Sequence, residues 1–170
     1  MNPLSQGGNG GWSNSVPLPN LGPMNEAVRT VAIAMLTTPV RHPLGATVCE
    51  IREFFDDDHV HAALIVGPAG YLAAVVERGD ITHSQPPDAA AAPLGRLAGR
   101  TVLEDASLAE IQRAMNAAGR RRAAVISEDG RLLGLLCLKA SRSGFCSEED
   151  VHARALDAAR NAVLAGTDSP

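Results

Sequence analysis

The chain has 170 residues, of which 45% are hydrophobic but only 3% are aromatic. It therefore suits one compact domain, or two small ones sharing a core, filled by aliphatic side chains. The net charge of −4 gives no electrostatic reason to expect nucleic acid or an anionic membrane as a partner.

The three cysteines are odd in number and form no CxxC pair, which argues against a disulfide framework and a structural zinc site. The first residues lack the cationic start and apolar run of a secretory signal, and no apolar run approaches the ~18 residues of a membrane helix. We therefore expect a soluble protein of the reducing cytoplasm.

The first predicted secondary-structure elements follow an N-terminal tail. Residues 1–24 are rich in Gly, Asn, Ser and Pro, a composition typical of disorder. Asn25 is the expected N-cap of a helix that carries Val28, Val31, Ala32 and Met35 on one face and ends before Pro39. A short extended segment over 40–42 follows. Thr47 then caps a second helix, predicted from Val48 to about Asp57.

Two strands follow, over 62–66 and 71–76, and then a helical turn over 77–81. Residues 83–93 are a Pro- and Ala-rich linker. Next we expect a strand over 100–103 and a helix capped by Ser107, and then strands over 123–126 and 132–136 around the Asp129-Gly130 turn. The inward face of that helix is predicted to be Leu108, Ile111, Ala114 and Met115. Ser147 and Asp150 resemble a capping box that opens an Ala-rich C-terminal helix over 147–166.

The two halves of this pattern are an internal duplication. The turn glycines Gly70 and Gly130 lie 60 positions apart, and the same offset pairs Ile51 with Ile111 and Leu72 with Leu132. A repeated unit of this length is a supersecondary structure that needs its copy to bury its open face. We therefore predict two α/β copies that share one core, a first over 25–82 and a second over 94–146.

Two such copies, each with an apolar strand, a turn, a second apolar strand and a polar helical turn, resemble a tandem pair of cystathionine-β-synthase (CBS) domains, the Bateman module. The resemblance spans about residues 31–146. It implies an α/β (α+β) fold in which the repeats pack sheet to sheet about a pseudo-twofold axis, with two clefts between them. It also implies that the module pairs into a homodimer, which the Ala-rich outer helices favour. The ligands it implies are adenosine compounds such as AMP, ADP, ATP or S-adenosylmethionine.

The family motif has a Gly in the last strand, a Ser or Thr three positions later that meets phosphate, and then an Asp that accepts the ribose hydroxyls. In the first copy these positions are Ala74, Glu77 and Asp80. Asp80 matches the ribose acid, whereas the Glu77 carboxylate would repel phosphate. The resemblance therefore implies an adenosine-like or cationic adenosyl ligand in the first cleft.

In the second copy the motif positions are Gly134, Cys137 and Ala140, with Ser141 next to the missing acid. A charge-assisted hydrogen bond contributes about 1.5–3 kcal/mol, so its loss makes this second cleft degenerate. Arg121 and Arg122, at the start of a central strand, are candidates to supply phosphate-binding charge from the other copy. Alternatively, Asp80 only caps its helical turn and the arginines form a solvated edge.

His42 and His61 complete the candidate ligand-binding residues. His61 also belongs to an acid- and histidine-rich stretch that begins at Asp56, which we interpret as a solvated helix end rather than a metal site. No Gly-rich phosphate loop, GxSxG or HExxH motif occurs, so we expect no enzyme. The leading hypothesis is a regulatory module that binds an adenosine-type ligand and signals to an unidentified partner protein. The alternative is a ligand-free interaction or scaffold protein.

Overall fold

The computed structural model describes residues 29–165, so the predicted tail 1–24, Asn25, Val28 and Gly166 lie outside the described residues. The strands are β1 Arg41–Pro43, β2 Ala62–Val66, β3 Leu72–Glu77, β4 Thr101–Leu103, β5 Arg122–Ile126 and β6 Leu132–Cys137. The helices are α1 Val48–Phe54, α2 Leu108–Ala117 and α3 Glu148–Ala165.

Each copy forms a three-stranded sheet with the same topology. In the first, β1 pairs parallel with β2, and β2 pairs antiparallel with β3. In the second, β4, β5 and β6 repeat this arrangement. The tight turn between β5 and β6 places Gly130 at a φ of 86°, in the region that favours glycine. The α+β duplication predicted from the sequence is therefore confirmed.

Apart from Arg122 at the start of β5, the central strands are apolar because both of their faces are buried. Ala63 and Ile65 of β2 pack against α1. Ala62 and Leu64 alternate with them along the strand and face the other sheet, where, together with apolar side chains of β3, they meet Ala124 of β5 and an apolar side chain of β6. The two sheets thus share a core, which explains why a single copy cannot bury its open face.

The segment that enters each copy packs on the other copy. Leu36, before β1, exchanges two backbone hydrogen bonds with Leu135 of β6, of 2.9 and 3.0 Å. The equivalent bonds join Arg96, before β4, to Val75 of β3. Leu36 and Arg96 lie 60 positions apart, and so do Val75 and Leu135. The exchange therefore follows the pseudo-twofold symmetry of the duplication.

This exchange corrects the first predicted helix. Only a single 3-10 turn forms there, over Val31–Ile33. The N–H groups of Val31 and Ala32 donate to the carbonyls of Ala106 and Glu104 in the second copy instead of extending a helix. Tertiary hydrogen bonds have overridden a helical pattern of side chains.

Smaller differences concern element ends and faces. Helix α1 ends at Phe54, three residues before the predicted Asp57. The Ser107 side chain makes no capping hydrogen bond, and Ala114, predicted to face inward, is exposed. The predicted capping box of α3 is present, with the Ser147 N–H donating to Asp150 and the Asp150 N–H to Ser147 Oγ.

Residues 87–94, which include much of the predicted linker, pack on the first copy, and Ala91 is fully buried there.

The crossing of the entering segment over β6 predicts a strict requirement for Gly134. A Cβ built there would lie 2.5 Å from the Leu36 carbonyl oxygen. We expect Gly134→Ala to lower the free energy of unfolding by about 1–3 kcal/mol, because the backbone must shift to relieve the overlap. Chemical denaturation of the purified protein measures this change.

Gly45→Ala is the matched control, because a Cβ at this exposed glycine meets nothing within 4 Å. Its effect should stay within about 0.5 kcal/mol. Equal effects of the two substitutions would contradict the close crossing at Gly134.

Candidate ligand cavity between the two copies

The exchange of entering segments creates two related clefts. In each, the end of the last strand of one copy faces the segment that enters the other copy. The first cleft joins Glu77, the last residue of β3, and Asp80, just after it, to residues 96–100. The second joins the end of β6 to residues 36–40. The pseudo-symmetry makes the clefts equivalent in backbone, so their side chains decide what each can bind.

In the first cleft the Arg100 guanidinium forms ion pairs with the carboxylates of Glu77 and Asp80. Arg100 Nη2 donates to Asp80 Oδ1 at 2.9 Å and pairs with Glu77 Oε2 at 2.9 Å. Its Nη1 donates to Asp80 Oδ2 and, at 2.7 Å, to the Val75 carbonyl. Arg100 is only 2% exposed. Both Asp80 oxygens are therefore bound to an internal cation, which competes with the ribose hydroxyls that the family motif assigns to this carboxylate.

Asp80 also caps the turn that follows β3. The Glu77 N–H donates to Asp80 Oδ2 at 2.8 Å, which is the capping role left open as an alternative above. Burial opposes ionisation of Asp80, but the hydrogen bonds from Arg100 and from the Glu77 N–H outweigh it, so the pKa of Asp80 is lowered. The hydrogen bond to Asp80, against the cost of burial, raises the pKa of Arg100. The pair is charged at neutral pH.

The second cleft contains an open cavity of about 490 Å³. Its apolar wall includes Leu36 of the entering segment, Val60 just before β2, Leu64 of β2 and Leu135 of β6. Helix α3 closes one side through Val151 and Ala155. A cavity of this size with mostly apolar walls and a few polar groups is typical of small-molecule sites.

The polar part of the cavity is rich in histidine and arginine side chains. The side chains there are His59, His61, Arg122, His152 and Arg154, together with the acids Asp57 and Glu148. Both acids are engaged locally. Asp57 Oδ1 accepts the His59 N–H at 2.8 Å, and Glu148 Oε1 accepts the Thr37 N–H at 2.7 Å. Arg122 and Arg154 are therefore the cationic groups of the cavity, and Asp57 and Glu148 are its anionic groups.

Burial acts on the cationic groups of the cavity. It lowers the pKa of Arg122, whose Nη2 donates to the His59 carbonyl at 3.3 Å. Burial, and after it the charges of Arg122 and Arg121, lower the pKa of His61 below its usual value. His61 is therefore neutral at pH 7, while Arg122 stays charged because an arginine starts from a far higher value. An anion in the cavity would meet charge that water screens only partly.

Three of the predicted site residues, His61, Arg122 and Cys137, line this cavity. Arg121 lies beside them, with its Nη1 3.5 Å from His61 Nε2. The others lie elsewhere. His42 packs edge-on against Phe54, and its Nε2 is buried without a hydrogen-bond partner among the described residues. Ser141 lies in an exposed loop and is hydrogen-bonded to Ser143.

Sequence reasoning missed Arg100 and Arg154. The signal for Arg100 was present, since the offset of 60 pairs it with Val40 and so replaces an apolar residue by a cation. Nothing in the local pattern of α3 marks Arg154 as a cavity residue, because its position depends on how the helix docks. Within residues 29–165, no three His, Cys, Asp or Glu side chains form a metal-binding group, and no helix is long and apolar enough to cross a bilayer.

The described fold agrees with comparisons to known proteins. The family model of the CBS domain matches residues 100–140, which cover the second copy. No curated protein sequence matches the chain. A CBS-pair domain from Shewanella oneidensis is similar at 22% identity and a TM-score of 0.58, covering 66% of this chain and 67% of that one.

Two similar structures contain nucleotides. A CBS domain protein of Pyrobaculum aerophilum, complexed with AMP, is 20% identical, with a TM-score of 0.55 over 75% of this chain and 99% of that one. The cytosolic domain of the Mg²⁺ channel MgtE, in complex with ATP, is 23% identical, with a TM-score of 0.52 over 62% of this chain and 44% of that one.

The two stacked sheets with exchanged entering segments define a paired α+β module. Residues 100–140 match the CBS domain model, and the fold of the chain is that of CBS-domain pairs. The resemblance inferred from the duplication is confirmed.

The ion pair in the first cleft predicts a dependence of stability on pH. Asp80→Asn keeps the shape of the side chain but removes the charge that Arg100 binds. At pH 7 we expect the free energy of unfolding to fall by about 1–3 kcal/mol. Because the folded-state pKa of Asp80 is lowered, its stabilisation is present above the ordinary aspartate value of about 3.9 and is lost as the pH falls through the lowered value. Urea denaturation between neutral and acid pH measures both effects.

Asp129→Asn is the control, since it removes the exposed pair with Arg131. Exposed ion pairs contribute little, so its effect should be clearly smaller at every pH. A wild-type pH profile identical to that of Asp80→Asn would show that Asp80 is not held by Arg100.

Proposed function

We propose that this CBS pair is a regulatory module that binds an adenine nucleotide in the second cleft. The carrying observation is the cavity of about 490 Å³ that combines an apolar wall with Arg122 and Arg154. An aromatic base suits the apolar wall, and guanidinium groups suit a phosphate because they donate paired hydrogen bonds. The AMP and ATP complexes of similar structures support this ligand class.

The charge of the cavity selects among the adenosine compounds. The expectation of a cationic adenosyl ligand came from Glu77 and Asp80, whose charges Arg100 partly offsets in the first cleft. In the second cleft Arg122 and Arg154 offer guanidinium donors to a phosphate, whereas the carboxylates of Asp57 and Glu148 already accept backbone hydrogen bonds. S-adenosylmethionine, with a sulfonium cation, and adenosine, without a phosphate, should therefore bind more weakly than AMP, ADP or ATP.

The proposed role is binding and signalling rather than catalysis, in the cytoplasm. Helix α3 forms one wall of the cavity through Val151 and Ala155, while Leu156 on the same helix is 55% exposed. A nucleotide that contacts the wall would order this helix, and a partner protein reading its outer face would sense the change.

The nucleotide proposal predicts stabilisation by AMP, ADP or ATP. A ligand at 100 times its dissociation constant adds about 2.7 kcal/mol to the free energy of unfolding, which a thermal-shift screen detects. Arg122→Gln removes a charge-assisted contact worth about 1.5–3 kcal/mol. We therefore expect it to weaken binding roughly tenfold or more, measured by isothermal titration calorimetry.

Two control variants locate the site. Arg131→Gln removes an exposed arginine at the hairpin turn and should leave affinity unchanged. Asp80→Asn perturbs only the first cleft and should retain binding. Loss of binding in Asp80→Asn but not in Arg122→Gln would move the ligand to the first cleft. If none of the compounds stabilises the protein, the scaffold function is favoured. The ion pairs of Arg100 with Glu77 and Asp80 in the first cleft support that alternative.

We also propose that the module forms a homodimer, a property that the Ala-rich outer helices favour. Light scattering at micromolar concentration should then give twice the chain mass of 17.7 kDa. A monomeric mass at that concentration would overturn this part of the proposal.

A further inference from the structure

Two thiols lie side by side at the wall of the cavity. Cys137 is the last residue of β6, and Cys146 stands just before α3. Their sulfur atoms are 2.7 Å apart, and their side chains are buried. Cys137 also lines the cavity, so a small molecule that enters the cavity contacts one member of this thiol pair, with Cys146 directly behind it.

The backbone holds the two cysteines opposite each other. Leu138 and Phe145 form an antiparallel bridge, and the Cys146 N–H donates to the Cys137 carbonyl at 2.7 Å. Directly opposed residues of an antiparallel pair have Cα atoms about 4.5–5.5 Å apart. This separation falls within the ~4.4–6.8 Å range of disulfides. A bond between the sulfur atoms therefore needs no rearrangement of the chain.

The surroundings make the two thiols unequal. Burial disfavours the Cys146 thiolate, but hydrogen bonds from Cys137 and Arg154 outweigh it and lower the pKa of Cys146. Burial, together with the hydrogen bond to Cys146, raises the pKa of Cys137 to about 11. A thiol of lowered pKa next to a thiol of raised pKa is the arrangement of an attacking and a resolving cysteine.

We propose that Cys137 and Cys146 are a redox-active dithiol, which a hydroperoxide oxidises to an intramolecular disulfide. The Cys146 thiolate attacks the terminal peroxide oxygen, the O–O bond breaks, and the leaving oxide takes a proton to give water or an alcohol. Cys146 is then a sulfenic acid. The Cys137 sulfur attacks Cys146, the S–O bond breaks, and hydroxide leaves with the Cys137 proton as water. The two thiols are oxidised by two electrons, and the peroxide is reduced by two.

Oxidation would alter the cavity, a consequence that depends on the proposed nucleotide function. In the reduced protein Arg154 lies close enough to Cys146 to lower the pKa of its thiol. A disulfide removes the thiolate form of Cys146, so the guanidinium no longer interacts with it and can bind an anion instead. The oxidised protein should therefore bind a nucleotide more tightly than the reduced protein.

The test uses the full chain with Cys49→Ser, because Cys49 is exposed and would form disulfides between molecules. The protein is treated with hydrogen peroxide and unfolded, and its free thiols are titrated. Trypsin cuts after Lys139 and Arg142, so Cys137 and Cys146 fall in separate peptides, 132–139 and 143–154. We expect both thiols to disappear together, the two peptides to be joined by a disulfide, and dithiothreitol to separate them.

Single variants test the order of the steps. Cys137→Ala should leave a sulfenic acid on Cys146 that dimedone traps, whereas Cys146→Ala should leave Cys137 unreactive. The proposal fails if both thiols remain titratable in the Cys49→Ser protein at peroxide concentrations that oxidise Cys49 in the wild type. This readout requires no ligand. If the disulfide forms but no nucleotide binds in either redox state, only the proposed nucleotide function fails.

Discussion

The exchange of entering segments is the constraint on which the rest of this structure depends. Leu36 completes the sheet of the second copy, and Arg96 completes that of the first. Because each segment provides backbone hydrogen bonds and apolar contacts to the other copy, the two copies cannot separate without exposing both. The same crossings set the position of both clefts, since each cleft lies where a segment leaves the sheet that it has joined.

One pair of equivalent residues makes these clefts different. At the position where the first copy has Val40, the second has Arg100. Val40 lines the open cavity, whereas the Arg100 guanidinium is buried against Glu77 and Asp80. A buried arginine needs carboxylate partners, so Asp80, the acid that best fits the family motif, serves the protein itself. The duplication has thus produced one internally paired cleft and one open cleft.

Much of this fold could be predicted because its signals are local or repeated. The apolar runs of β2 and β5, the Asp129-Gly130 turn and the offset of 60 residues define the two sheets and their common core. The capping box of α3 was likewise visible in Ser147 and Asp150. The first helix was predicted wrongly because Val31 donates its N–H to Ala106, a contact across the chain that side-chain spacing does not reveal.

The site was harder to predict, for a physical reason. Motif positions identify which residues stand near a cleft, but not which of them already bind each other. Asp80 matches the motif and is taken by Arg100, while Arg154 matches nothing and lines the cavity because of how α3 docks. Comparison of equivalent positions in the two copies was the one sequence signal that pointed to Arg100.

The exchanged segments also impose an order on synthesis at the ribosome. Residues 87–96, which complete the first copy, leave the ribosome soon after its last strand, so that copy can close early. Residues 29–36 emerge first of all the described chain, whereas Ala106 follows its partner Val31 by 106 − 31 = 75 residues and Leu135 follows its partner Leu36 by 135 − 36 = 99 residues. The apolar side chains of Val31 and Leu36 therefore stay without these partners while a long stretch of chain is synthesised. The segment that is made first is the one that a nascent-chain chaperone would have to protect longest.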